Sequence, residues 1–297
     1  MNPLTVNDSQ ITIIRDAFKW AVQSLSQAGF SAPENEVAML MGGIMNWSPA
    51  FVYANAQSKM TSDQIQIFRK RVDRRKRYEP VAYIENRKSF LDQDFYVDHR
   101  VLIPRPETEL LVQEVKEKLQ KRSLAKPQIL DMGTGSGCIA ISLARLFPNA
   151  HIMATDLSEG ALAVAKINSL KMGVGKRIRF QKSDLYHSLN NMFFGYFDII
   201  VSNPPYVSAS EMKELAPDLS FEPRMALYGG KDGNSHLGSI ILESPKYLKK
   251  SGTLVVEMGA KQKEKMEVLF RQAAFTNVST VKDFNGWDRI IYGDHNG

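Results

Sequence analysis

An α/β fold with a separate helical bundle ahead of it is what this sequence predicts, on three observations. Up to about residue 85, apolar residues recur only at helical spacing. From Pro127 onward, short strand-like runs alternate with helical segments, the pattern of a doubly wound, largely parallel sheet. The strands expected there end in glycine or polar residues, where open sheets of this kind bind ligands.

Ile11, Ile14, Phe18, Ala21, Val22 and Leu25 share one helical face, which ends before Gly29. A second helix is expected from near Pro33, carrying Val37, Leu40, Met41 and Ile44 and fading by Trp47. A third opens at Thr61-Ser62-Asp63-Gln64, a capping box in which Thr61 and Gln64 satisfy each other's orphan amides. It turns Ile65, Phe68 and Val72 inward and a basic run outward. Residues 1–85 are therefore read as a small helical bundle domain, with no chemistry visible in it. In residues 86–106 the alternating runs SFLDQDFYV and RVLIP predict a hairpin linker, and Pro104 and Pro106 stiffen the chain around Arg105.

Residues 107–297 form the second expected domain. A helix from Glu107 carries Leu110, Leu111, Val115 and Leu119 toward Pro127. Strands are expected at Gln128–Asp131, His151–Asp156, Ile178–Ser183, Phe197–Ser202 and Thr253–Glu257, and helices at Cys138–Leu146, Gly160–Met172 and Ser239–Leu248. TVKDF and DRIIYG, on either side of Asn285-Gly286, read as a closing antiparallel hairpin that brings the sheet to seven strands.

A chain of 297 residues, 43% of them hydrophobic, can bury a core in one large domain or two smaller ones. No apolar run approaches the roughly 18–20 residues of a membrane helix. The opening segment shows no basic leader, and the single cysteine, Cys138, excludes an internal disulfide, so a reducing, cytoplasmic location is expected. The net charge of +6 is concentrated between Arg69 and Arg77, where seven of nine residues are basic. That run reads either as the solvated face of a helix or as a docking surface for RNA, a ribosome-associated partner or an acidic protein. His99, His151, His187, His236 and His295 are scattered without metal-ligand spacing, so no metal is expected.

The strand ends carry the chemistry. The first runs from Asp131 into Gly133-Thr134-Gly135-Ser136-Gly137, where glycines let the backbone turn sharply and approach a ligand. A dinucleotide fingerprint would put glycine or alanine at 138; Cys138 stands there instead, which counts against a nicotinamide cofactor and reads as a packing residue. Asp156, at the second strand end, can accept from both ribose hydroxyls of a nucleoside ligand, or cap the next helix if Ser158 does not. Asp184 can accept from an adenine amino group, with Leu185 an apolar surface beside it; its plain alternative is a turn aspartate.

Asn203-Pro204-Pro205-Tyr206, at the fourth strand end, discriminates best. An amide or aromatic amine is a poor nucleophile because its lone pair is delocalised. If both N–H groups donate to fixed acceptors, here the Asn203 side-chain oxygen and the Pro204 carbonyl, the nitrogen can pyramidalise toward an electrophilic methyl. Two prolines hold that segment rigid, and Tyr206 offers a flat face to a planar group. With a sulfonium methyl donor, positioning supplies most of the catalysis and no strong base is needed. These residues point to an S-adenosylmethionine-dependent methyltransferase of class I, Rossmann-like architecture, acting on a planar nitrogen.

From about Pro80 onward the sequence resembles the peptide chain release factor N5-glutamine methyltransferases. The segments that carry the resemblance are PVAYI at 80–84, VLIPRPETELLV at 101–112, DMGTGSGCIAISLA at 131–144, VSNPPYV at 201–207, EPRMALYGGKDG at 222–233, GTLVVEMGAKQ at 252–262 and DRIIYG at 288–293. Asn-Pro-Pro-Tyr is shared with nucleic-acid amino-methyltransferases; IPRPETE and the EP..AL.GG.DG segment are more specific. The resemblance implies methyl transfer to the glutamine of the Gly-Gly-Gln loop in class I release factors, with S-adenosylhomocysteine as coproduct. It also implies that Gly133, Thr134, Gly135, Ser136, Gly137, Asp156, Asp184, Leu185 and Asn203 hold the cofactor. Asn203 to Tyr206 would grip the glutamine amide, Arg105, Glu107 and Thr108 would line the site, and the N-terminal bundle would contact the release factor. Glu85-Asn86, where the family commonly has glycine, and NSHLGSI after Gly233 depart from the pattern.

Three other readings compete. A nucleic-acid amino-methyltransferase acting on adenine N6, cytosine N4 or guanine N2 is kept alive by the basic run. A non-catalytic binding module would leave the glycine loop and acidic strand ends without use. A nicotinamide dehydrogenase meets Cys138 and Asn-Pro-Pro-Tyr as obstacles.

Overall fold

The computed structural model describes residues 11–297; the first ten, read above for the absence of a leader, lie outside the described residues. The described chain divides into two compact units, residues 11–87 with 217–221, and residues 88–216 with 222–297.

In the first unit, helices α1 (Ile14–Gln27), α2 (Glu34–Met45), α3 (Pro49–Ala54), α4 (Ser62–Lys76) and α5 (Val81–Ile84) surround one apolar core. Ile14, Ala17, Ala21 and Leu25 of α1 meet Val37, Leu40 and Met41 of α2 and Phe68 and Val72 of α4. The expected capping box is present: the Thr61 amide donates to Gln64 Oε1 at 2.9 Å, and the Gln64 amide to Thr61 Oγ1 at 3.2 Å. Helices α3 and α5 are too short for a periodic signal, at 6 and 4 residues.

The basic run on α4 is not the uniformly outward face expected. Arg75 is buried, donates from Nε and Nη2 to Glu36 at 2.6 and 2.9 Å, and lies 4.3 Å from the Phe30 ring centroid. Arg71 pairs with Glu85, and Arg74 donates to Glu79 at 2.7 Å. A helix of this length turns part of any nine-residue run toward its neighbours, and acids waiting on α2 and around α5 make those positions tolerable for arginine. Lys70, Lys76 and Arg77 remain exposed.

The second unit opens with a short antiparallel pair, β1 (Lys88–Phe90) and β2 (Gln93–Phe95), so the hairpin closes within SFLDQDF, and 101–104 is not one of its strands. Then follow α6 (Pro106–Arg122), β3 (Gln128–Met132), α7 (Cys138–Leu146), β4 (His151–Asp156), α8 (Glu159–Lys171), β5 (Ile178–Lys182), β6 (Phe197–Ser202), α9 (Arg224–Leu227), α10 (Ser235–Glu243), β7 (Leu248–Glu257), α11 (Lys263–Gln272), β8 (Phe275–Lys282) and β9 (Asp288–His295). They build a seven-stranded sheet in the order β5-β4-β3-β6-β7-β9-β8, parallel through β7 and antiparallel at β9 and β8.

The last α/β unit differs most from expectation. Its helix begins at Ser235 rather than Ser239, and Leu248, expected at the helix end, opens a strand. Pro245 has no amide to continue the helical ladder, so α10 gives way to one 3₁₀ turn before the strand. The closing hairpin also begins earlier, at Phe275.

Successive strand residues face opposite sides, so each central strand feeds two cores. Ile129, Val201 and Val255 pack with α6 and α7; Leu130, Ile200, Leu254 and Val256 pack with α10 and α11. With both faces covered, the carboxyl-end rim of the parallel strands is where polar side chains gather.

Candidate active site

A cavity of about 290 Å³ opens at that rim. Arg105, Thr108, Gly133, Thr134, Gly135, Ser136, Asp156, Asp184, Leu185, Asn203 and Pro205 line it together, so residues up to 100 positions apart in sequence share one space. Leu102, Leu157, Ile139, Met225 and Tyr228 make much of its wall apolar, as small-molecule sites usually are.

The glycine loop divides by role. Gly133 and Gly135 have φ of +72° and +54°, and a Cβ at either would meet no atom within 4 Å. Their bare backbones therefore face open space. Gly137 also has positive φ, but a Cβ there would lie 2.9 Å from Ile141 Cδ1 and 3.1 Å from Ala165 Cβ. It serves the close packing of α7 on α8, and it is not among the lining residues. Asp131 ties the loop from beneath, accepting from Thr134 Oγ1 at 2.6 Å and from the Ala140 amide at 3.1 Å. Burial raises its carboxyl to about 7, and its second oxygen has no hydrogen-bond partner among the described residues. Cys138 is buried, with its thiol pushed up to about 12, which suits packing and not nucleophilic chemistry.

Asp156 accepts from the Gly135 amide at 2.9 Å and from the Ser158 amide at 2.8 Å. Ser158 caps α8 through Ala161, so Asp156 is not needed as the cap. Each carboxylate oxygen retains a lone pair for a ligand hydroxyl. Asp184 is exposed on the rim, with the half-buried Leu185 beside it, held at φ +45° by a turn in which Ser183 Oγ donates to the Leu185 carbonyl. The open glycine faces, an acidic acceptor and adjacent apolar side chains fit a nucleoside bearing a cationic group.

Asn203 sits between this cradle and α6. Its Nδ2 donates to Thr108 Oγ1 at 2.9 Å, and Thr108 Oγ1 in turn donates to Glu257 Oε2 at 2.7 Å. The Asn203 Oδ1 makes no hydrogen bond within the described residues and belongs to a side chain that lines the cavity. Tyr206 does not line it; its hydroxyl donates to Glu257 Oε1 at 3.3 Å, and burial raises its pKa. Pro204 is buried outside the lining set, and its carbonyl accepts no hydrogen bond within the described residues. Glu107 is likewise outside it, half-buried, close enough for its charge to act on Glu257.

Two carboxylates were not singled out from sequence. Glu257 ends β7 and is fully buried, and burial raises its carboxyl to about 7. Glu222 is also buried; it accepts from Arg105 Nη2 at 2.5 Å and from the Ile103 amide at 3.0 Å, fixing Arg105 at the rim. Glu257 was open to the strand-end rule, applied to a fifth strand. Glu222 follows no strand; it opens the EPRMALYGGKDG segment that carries the resemblance, but nothing in its spacing pointed to Arg105. Among the described residues no helix is long and apolar enough to cross a membrane.

Comparison with known proteins matches residues 16–85 to the family model "PrmC N-terminal domain" and residues 106–222 to "Methyltransferase small domain". The chain is 36% identical to a release factor glutamine methyltransferase of Buchnera aphidicola over 280 residues, covering 94% of this chain and 98% of the relative. It is 33% identical to that of Geobacter sulfurreducens, over 96% of this chain and 97% of the relative. A bifunctional methyltransferase of Rickettsia felis is 35% identical over 94% of this chain, which spans 57% of that longer protein. Among solved structures, a methyltransferase from Pyrococcus furiosus superimposes with a TM-score of 0.51 at 18% identity, covering 71% of this chain and 92% of that one.

Proposed function

The chain belongs to the release factor glutamine methyltransferase family, and we propose that it methylates the side-chain nitrogen of the Gly-Gly-Gln glutamine in class I peptide chain release factors. The release factor as substrate rests on the relatives; the observation that carries methyl transfer to a planar nitrogen is the direction of the Asn203 amide. Because Nδ2 is engaged by Thr108, the oxygen is the end left to accept from a substrate N–H. The Pro204 carbonyl, fixed by its ring and the next one, is the candidate second acceptor. A planar amide held by two acceptors loses conjugation at nitrogen and directs its lone pair out of plane, so the protein supplies nucleophilicity by geometry.

S-adenosylmethionine, bound in this cradle, would supply an activated methyl group on sulfur. Gly133 and Gly135 admit it along their bare backbones, Asp156 offers acceptors for ribose hydroxyls, and Asp184 with Leu185 offers a polar edge and an apolar face for adenine. Arg105, oriented by Glu222, and Thr108 stand at the substrate side. Tyr206, outside the cavity lining, braces Glu257 behind Asn203. The same reading implies a cytoplasmic enzyme, with release factors met through the N-terminal unit.

The nucleic-acid reading has less support than its sequence signal gave it, because Arg71, Arg74 and Arg75 of the basic run are engaged within their own unit. The test is transfer of labelled methyl from S-adenosylmethionine to a purified class I release factor, its Gly-Gly-Ala variant and duplex DNA. Label on the Gly-Gly-Gln protein alone is expected. Label on DNA, or equally on the Gly-Gly-Ala variant, overturns the substrate assignment.

A further inference from the structure

Asn203 is an amide, and an amide presents either its oxygen or its NH₂ to a ligand, according to which end the protein engages. Nothing on Asn203's own segment decides this. The neighbour that decides it is Thr108 on α6, whose hydroxyl has one proton and can give it to only one partner. Here the proton goes to Glu257 Oε2 at 2.7 Å, which leaves Thr108 Oγ1 as an acceptor, filled by Asn203 Nδ2 at 2.9 Å. The order of donors is therefore set at the buried end of the chain, by a carboxylate that can only accept while it is ionised.

We infer that Thr108 and Glu257 are positioning residues of the methyl-transfer site, which act through Asn203 by fixing its amide with the oxygen toward the substrate nitrogen. This rests on the glutamine-methylating reading above. With Glu257 ionised, Thr108 must donate to it, and Asn203 must donate to Thr108. With Glu257 protonated, its own hydroxyl can donate to Thr108, whose proton then turns toward Asn203. The Asn203 amide then turns over and presents NH₂ to a substrate NH₂, donor against donor, and the grip on the substrate is lost.

The groups around Glu257 make that change accessible near neutral pH. Thr108 and Glu107 face it from α6, Tyr206 from the segment after β6, and Arg289 from β9. Burial is the largest influence and holds the carboxyl up at about 7; Glu107 reinforces it, while the hydroxyls of Thr108 and Tyr206 and the Arg289 charge oppose it. A carboxylate placed merely to fill space at the end of β7 would show no dependence of turnover on its charge.

The experiment is a pH profile of kcat and KM, from pH 5.5 to 8.5, for wild type, Thr108→Val, Thr108→Ser and Glu257→Gln, with cofactor binding and thermal melting measured on each. Wild-type kcat is expected to rise with pH through about 7. Thr108→Val, isosteric but unable to relay, should lose at least tenfold in kcat while binding S-adenosylmethionine as wild type does. Thr108→Ser should recover most of that loss. Glu257→Gln has no titrating proton and presents either its oxygen or its NH₂ to Thr108, so its kcat should show no step through about 7, at whatever level that kcat lies. A wild-type step that persists in Glu257→Gln, or a folded Thr108→Val with wild-type kcat, overturns the inference. Wild type that binds cofactor but methylates no release factor overturns the functional reading instead.

Discussion

The basic run of α4 and the polar strand ends around the cavity look alike in the sequence, as clusters of polar residues with no local explanation. They differ in what the fold leaves over. On α4, Arg71, Arg74 and Arg75 each find a carboxylate, Glu85, Glu79 and Glu36. At the rim, Asn203 has one end of its amide satisfied and the other open, and Asp156 uses each carboxylate oxygen once. A polar group's capacity for a ligand is the hydrogen-bonding valence that remains after the protein's own partners are counted.

The sharpest break of this comparison is Asn203→Ala. If the open oxygen is what grips the substrate amide, kcat should fall by about a hundredfold or more, the scale of removing one preorganised polar contact in a transition state. S-adenosylmethionine binding, followed by calorimetry, should change little, since the glycine loop and Asp156 do not depend on it. Equal loss of both would mean that Asn203 mainly shapes the cavity.

Next in size is a pH-dependent stability difference. The Glu257 carboxyl is raised by burial from 4.5 to about 7, so folding favours its neutral form. That preference is fully present below the unfolded value and is lost as pH rises through about 7, where an ionised carboxylate is buried at a cost. Glu257→Gln removes the titration. Its melting temperature relative to wild type should therefore be higher at pH 8 than at pH 5, by a difference on the order of 2 kcal/mol in stability. Equal differences at both values would show that the carboxyl titrates normally despite its position.

What the sequence disclosed about fold and site follows the same division. Strands β3, β4 and β6 are buried on both faces and read as short apolar runs, so their extents came close. The end of α10 was misread because apolar Ile240, Ile241, Leu242 and Leu248 form one series, and only Pro245 marks that the last belongs to a strand. Gly133, Asp156 and Asn203 were visible because each ends or follows a strand in a parallel sheet, a position with a physical reason to face ligand. Glu222 and the Thr108–Glu257 contact were not, since they join residues 117 and 149 positions from their partners. Nor could spacing show that Gly137 packs while Gly133 and Gly135 stay open; that depends on how α8 lies against α7.

The smallest effects belong to α4, and they separate its two kinds of cation. Arg75→Ala removes the partner of Glu36 and uncovers the Phe30 ring, contacts made by a side chain only 7% exposed. A cost of about 2 kcal/mol is expected, below that of a wholly buried pair because Glu36 is 30% exposed. Lys70→Ala, at an exposed position with no ion pair among the described residues, should stay within about 0.5 kcal/mol. Urea denaturation of the two variants measures both, and methyl transfer to the release factor completes the comparison. If Lys70→Ala, alone or with Arg77→Ala, raises KM for the release factor while leaving stability untouched, the exposed part of the run is a docking surface. If neither KM nor stability moves, these cations are a solvated face, and the charge that made the run conspicuous is, at its buried positions, part of what holds the helical unit together.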